Sequence, residues 1–114
     1  MLYTAGQIPL DPKSGQLVSE DIAEQTRQVL ENLTAVLKAE KMNFSNIVKT
    51  TVFMTNLGDF QTMNDIYASY FKDQPPARST VQVSAFPKAA QVEIEVVAVA
   101  TKQGEGEKSI DTWE

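Results

Sequence analysis

The sequence predicts an α+β domain, a mixed β-sheet with two helices packed on one face. Three observations carry this. Apolar residues recur at helical spacing over about 19–41 and again over 59–71. Between and after them lie β-branched stretches, of which the last, Gln91 to Thr101, is nearly continuous in Val, Ile and Ala. The resulting order is β, α, β, α, β, β, which two helices on one side of a sheet satisfy. A chain of 114 residues fits one domain. A domain of this size buries roughly two thirds of its unfolded surface, so assembly with other copies would add to a thin margin.

The elements follow in order. Leu2, Tyr3 and Thr4 are strand formers at the very start. Asp11-Pro12 and Ser14-Gly15 punctuate a loop. Ser19 is placed to cap the first helix, with Glu20 and Asp21 in its first turn. Ile22, Thr26, Val29, Leu30, Leu33, Val36 and Leu37 form its apolar stripe, and Lys38 and Lys41 suit its C-terminal end. Arg27 lies among its polar positions and reads as a solvated side chain. Ile47 to Thr55 alternates as a strand. Asp59 to Phe71 is a second helix whose Phe60, Met63, Tyr67, Tyr70 and Phe71 point to the core. Pro75-Pro76 stops it. Ser79 to Ser84 reads as a short strand, and Phe86-Pro87-Lys88 as a turn. The continuous strand from Gln91 should be central, or buried on both faces. The expected division is one domain over 1–102 and a weakly ordered tail over 103–114, in which Trp113 is available to dock.

Composition narrows the chemistry. There is no Cys and no His, which removes disulfides, thiolate nucleophiles, imidazole bases and Cys or His metal ligands. Acid–base work falls to Asp, Glu, Lys, Tyr or water. The net charge is −5 and the ten basic residues lie singly, so no nucleic-acid partner is expected. No apolar run reaches the roughly 20 residues that cross a bilayer, and no basic, apolar leader opens the chain, so no membrane partner is expected and the cytoplasm is the expected location.

Only two arginines exist, Arg27 and Arg78. Arg78 opens a strand just after Pro75-Pro76. Glu93 lies near the start of the most apolar strand, two residues from Glu95 on the same face. A carboxylate in such a strand needs a cation, good donors or a task. One reading is a buried ion pair between Arg78 and Glu93 that joins strands or subunits, and on the pattern alone it is the more economical one. The other has Arg78 binding a substrate carboxylate while Glu93 handles a water. Val97 and Val99, sharing the face of Glu93 and Glu95, favour burial of that face against another subunit.

Several motifs occur together. Gly6-Gln7-Ile8-Pro9-Leu10-Asp11-Pro12 resembles the GQIPLDP loop of the reactive-intermediate deaminase (RidA/YjgF) family. Glu24-Gln25-Thr26 and Val29-Leu30-Glu31-Asn32-Leu33 resemble its first helix. Val48-Lys49-Thr50-Thr51-Val52-Phe53 resembles its VKTTVF strand and Asn64-Asp65-Ile66-Tyr67 its second helix. Pro76-Ala77-Arg78-Ser79 and Val92-Glu93-Ile94-Glu95 match PARS and VEIE. The likeness runs in order from about Tyr3 to Ala100, and the set is far more specific than any one motif.

The resemblance implies a chorismate-mutase-like fold, with three sheets forming the barrel-like core of a homotrimer and ligand clefts between subunits. It implies hydrolysis of 2-imino or enamine acids to 2-keto acids and ammonia, with small 2-imino/2-keto carboxylic acids as ligands and no cofactor or metal. Arg78 matches the arginine that binds the substrate carboxylate, and Glu93 the glutamate that positions or activates water. Gly6 matches a cleft-lining glycine and Asn64 the asparagine of the second helix. Thr80 matches a position often held by Cys, where the main chain is expected to face the ligand. The family's first strand and a cleft-lining Tyr precede the GQ motif elsewhere and are absent from this sequence, and Ala5 stands where Ser is usual. The expectation is an N-terminally truncated member whose Leu2 to Thr4 forms a sheet edge. The alternative is a trimeric protein without catalysis that binds small carboxylic acids or a protein partner.

Overall fold

In the computed structural model, residues 1–72 and 74–100 are described. The element order matches the sequence reading. Strand β1 (Leu2–Tyr3) is followed by helix α1 (Ile22–Ala39), strand β2 (Ile47–Met54), helix α2 (Phe60–Tyr70), strand β3 (Ala77–Gln82) and strand β4 (Val92–Ala98). They form one four-stranded sheet in the order β1-β4-β2-β3. β2 and β3 are parallel, joined by the α2 crossover, and the remaining pairings are antiparallel. Among the described residues β1 pairs only with β4, through Leu2↔Ala98 and Tyr3↔Val97, and is an edge.

One face of the sheet carries the core. Val52 and Met54 of β2 and Val92, Ile94, Val96 and Ala98 of β4 lie on it, buried against Val29, Leu30, Leu33 and Leu37 of α1 and Met63 and Tyr67 of α2. Burying each such aliphatic side chain contributes roughly 1.5–3 kcal/mol. The other face is half exposed: Glu93, Glu95 and Val97 on β4, and Thr51 and Phe53 on β2.

Several local details depart from expectation. The cap of α1 is Asp21, whose Oδ2 accepts from Glu24 N at 2.9 Å; Ser19 Oγ instead accepts from Asp21 N at 2.9 Å, which sets up the cap. Lys41, with φ 61°, closes the helix in the left-handed region and donates its N–H to Lys38 O. α2 starts at Phe60, after a 3₁₀ turn over Leu57–Asp59. β3 runs Ala77–Gln82, earlier than the Ser79 to Ser84 expected, because parallel pairing with β2 already begins at Lys49↔Ala77. β4, expected over Gln91 to Thr101, spans seven residues, one fewer than β2. It is interior, but it alternates buried and half-exposed, so only one of its faces is covered by this chain. The Phe86-Pro87-Lys88 turn is a 3₁₀ segment, Pro87–Ala89, with Lys88 and Ala89 both left-handed (φ 60° and 59°). The end of the expected last strand at Thr101, the tail over 103–114 and Trp113 lie outside the described residues.

Buried amides tie loops to helices. Gln25, fully buried on α1, donates to Ser19 O at 2.9 Å and accepts from Gln91 N at 2.8 Å. Asn32 donates to Leu10 O at 3.0 Å and Ile8 O at 3.3 Å, and its own Oδ1 is held by Gln28. The GQIPLDP loop is thereby fastened to α1.

Candidate functional site

Arg78 is the second residue of β3, directly opposite Thr50 of β2. Cross-strand partners share a face, so Arg78 projects to the helix side with Thr50. There α2 presents Phe60, Asn64 and Tyr67 at successive turns, one stripe of the helix. Arg78 Nη1 donates to Asn64 Oδ1 at 2.7 Å. The guanidinium carbon lies 4.7 Å from the Tyr67 ring centroid and 5.3 Å from that of Phe60. Among the described residues Arg78 forms no salt bridge; its neighbours are the Asn64 amide and the Tyr67 phenol, on which it also acts, and neither is a carboxylate. It borders a pocket of about 360 Å³ between α2 and the Pro75-Pro76 segment, with Tyr67, Ala68 and Phe71 on its walls.

Tyr67 is anchored in turn. Its hydroxyl and Thr50 Oγ1 are hydrogen-bonded at 2.8 Å, and Thr50 is fully buried. Burial pushes the Tyr67 phenol up, against the opposing pull of Thr50 and Arg78, so it stays neutral beneath the cation.

Thr80 lies two residues beyond Arg78, opposite Val52 and on the same face. Its Oγ1 is shielded from solvent and has no hydrogen-bond partner among the described residues. The hydroxyl is therefore turned into the protein.

Glu93 is on β4, opposite Phe53 of β2. Phe53 is an odd number of residues from Thr50, so Glu93 projects from the other face of the sheet. The segment after β1 crosses it: Gln7 bridges to Ile94, with Gln7 N donating to Ile94 O at 2.9 Å. This brings Gly6 against Glu93. A Cβ on Gly6 would stand 2.5 Å from Glu93 Cδ, so a side chain there would push the Glu93 carboxylate from its place. Burial, and secondarily the neighbouring Glu95 charge, hold the Glu93 carboxyl above the usual carboxylate range.

Within one chain the five residues singled out by sequence thus fall into two clusters. Arg78, Asn64 and Thr80 share the helix side; Gly6 and Glu93 sit together on the other side, with β2 between Arg78's strand and Glu93's. The intrachain Arg78–Glu93 ion pair considered from sequence does not form. A larger depression of about 540 Å³, bordered by Phe44, Ser45, Tyr70 and Lys72, holds neither cluster. Among the described residues no group of three or more Asp and Glu is arranged to hold a metal, and no helix is long and apolar enough to cross a membrane.

A family model described as Endoribonuclease L-PSP matches residues 1–100. The chain belongs to this family, the RidA/YjgF family. Among its RidA/YjgF relatives is a human protein named 2-iminobutanoate/2-iminopropanoate deaminase, 50% identical over 98 residues, covering 86% of this chain and 72% of the relative. Protein DfrA of Myxococcus xanthus is 49% identical over 100 residues, covering 88% and 76%. The solved RidA/YjgF structures agree with the fold. Yersinia pestis YyfA, of the conserved Rid protein family, superposes with a TM-score of 0.84 at 56% identity, covering 86% of this chain and 79% of that one. E. coli TdcF with bound serine gives 0.82 at 40% identity, covering 87% and 80%.

Sequence reasoning took Phe60 and Tyr67 as core alone. Tyr67 is core, at 4% exposure, but both rings also face Arg78. The signal was present as the 60–64–67 spacing with an amide between two rings. Nothing in the sequence marked Thr50 as the Tyr67 anchor, because that contact joins a strand to a helix.

Proposed function

We propose that this chain is a deaminase that hydrolyses 2-imino and enamine acids to 2-keto acids and ammonia. The observation that carries this reading is Arg78, a half-buried guanidinium held by an amide and two rings yet without a carboxylate partner among the described residues. Such a fork suits the planar carboxylate of a small acid. Relatives named 2-iminobutanoate/2-iminopropanoate deaminase support the reaction class.

In this reading Arg78 orients the substrate carboxylate and Glu93 holds a water against C2 of the protonated imine. As the water oxygen bonds to C2, Glu93 takes its proton, and the C=N electron pair moves to nitrogen. Glu93 then returns the proton to the nitrogen, the C–N bond breaks, and ammonia leaves as the carbonyl forms, the proton of the new hydroxyl passing to the freed Glu93 carboxylate and from there to the ammonia. A carboxyl held above its ordinary pKa is a better base for this task. The chemistry requires neither cofactor nor metal. Gly6 gives Glu93 its room, Asn64 steadies Arg78, and the Thr80 main chain borders the ligand.

Because Arg78 and Glu93 lie on opposite faces, a cleft containing both takes one residue from each of two chains. This supports a homotrimer in which the uncovered sheet faces pack together as a chorismate-mutase-like, barrel-like core. Tyr3 and Val81, 71% and 42% exposed, and half-exposed Phe53 and Val97 supply apolar surface for it. The cytoplasm is the proposed location.

The second reading is a binding protein that holds a small acid without turning it over; a relative, E. coli TdcF, has a structure with bound serine. One assay separates the two. An amino-acid oxidase generates 2-imino acids, and keto-acid release is timed with and without this protein. Acceleration supports the deaminase; saturable 2-keto acid binding with no acceleration supports the binder.

A further inference from the structure

Arg78 and Tyr67 are linked by a closed circuit. Thr50 is the cross-strand partner of Arg78, and its Oγ1 is hydrogen-bonded to the Tyr67 hydroxyl at 2.8 Å. The Tyr67 ring lies under the Arg78 guanidinium at 4.7 Å. Strand register therefore fixes Thr50, Thr50 fixes the ring, and the ring fixes the plane of the cation. Thr50 is fully buried and Tyr67 is 4% exposed, so water competes for neither end of that bond. Phe60 on the adjoining turn and the Asn64 amide limit the remaining tilt of the guanidinium.

We propose that Tyr67, held in place by Thr50, is a positioning residue that presets the Arg78 guanidinium plane for a substrate carboxylate. This rests on the reading above in which Arg78 binds that carboxylate. An arginine free to swing has several rotamers to lose on binding; one laid on an anchored ring loses fewer, and its donors already point as a bidentate pair needs. The hydroxyl of Tyr67 takes no part in the chemistry. Its work is to hold the far end of the ring in place beneath the guanidinium.

The test uses the whole protein with 2-ketobutanoate as probe. Its dissociation constant is measured calorimetrically, and KM and kcat are followed with enzymatically generated 2-iminobutanoate. Tyr67→Phe keeps the ring and frees it from Thr50. Thr50→Val breaks the same bond from the other end. Tyr67→Leu removes the ring. The first two should weaken 2-ketobutanoate binding and raise KM roughly threefold, and Tyr67→Leu roughly tenfold, with kcat changed far less. In an Arg78→Ala background the same changes should have no further effect on binding, which a merely structural role would not produce. If Tyr67→Leu does not fold, the two milder variants decide. Binding within about twofold of the parent in the folded variants overturns the inference, as does an equal loss in the Arg78→Ala background. If Arg78→Ala itself binds 2-ketobutanoate as tightly as the parent, the carboxylate role of Arg78 fails and this inference fails with it.

Discussion

Arg78 and Glu93 project from opposite faces of one sheet, on strands with β2 between them. Neither can reach the other within a chain. A reaction that needs both is therefore a reaction between chains, and this can be measured.

Arg78→Ala should weaken 2-keto acid binding at least tenfold, the loss of one charge-assisted hydrogen-bond set, and Arg78→Lys should not restore it. Glu93→Gln should bind nearly normally and hydrolyse slowly. Mixing the two impaired variants under conditions that exchange subunits should restore parental activity in about one cleft in four, those pairing an intact Arg78 with an intact Glu93 from the neighbouring chain. No recovery after demonstrated exchange would show that the residues do not act together.

The acid limb of the rate profile should lie above pH 4.5, the ordinary value for Glu, because burial and the Glu95 charge raise the Glu93 carboxyl. Glu95→Gln removes the second cause and should move that limb to lower pH. The same shift bears on stability. A carboxyl whose folded pKa is raised contributes stability that is fully present below its unfolded pKa and lost as pH rises through its folded one. Glu93→Gln should therefore melt higher than the parent at pH 7, a trade of stability for activity. An unchanged melting temperature and an unmoved limb would together sink this account.

Gly6→Ala sets a methyl where the Glu93 carboxylate lies. The displaced atoms end a flexible side chain, so unfolding free energy should fall by no more than about 1 kcal/mol. Hydrolysis should fall roughly tenfold or more, since the carboxylate is pushed from its place. A variant with parental kcat would remove Gly6 from the site.

Thr80 Oγ1 is buried without a partner among the described residues. Thr80→Val replaces it with a methyl of similar shape and should raise stability by roughly 1 kcal/mol in urea unfolding. Activity should persist, as expected of a position that offers its main chain. A destabilised Thr80→Val would reveal a hydroxyl partner supplied by another chain.

Much of the fold was legible because it rests on periodicity. The Leu30-Leu33-Leu37 stripe and the Thr50 to Met54 alternation each point to one element type, and each is where it was expected; Val48, expected on the face of Thr50, is exposed because the ladder to β4 slips between Ile47 and Lys49. Boundaries were less legible where they depend on a partner. Ala77 is strand because Lys49 is beside it, and nothing near Ala77 in sequence says so. The site was legible residue by residue, yet its division was not. Whether Arg78 and Glu93 share a face depends on register across three strands, and a shift of one residue in any of them reverses the answer.

The Asn32 amide, which grips the carbonyls of Ile8 and Leu10, has a consequence beyond the loop it holds. It assigns the Gly6 segment to α1, whereas Arg78 leans on α2. Each half of the chemistry thus has its own chassis. The two helices share one core, but a polar substitution at Asn32 bears first on the water-handling half and one at Asn64 first on carboxylate recognition. A lineage can retune which acid it accepts along α2 with less effect on the hydrolytic half.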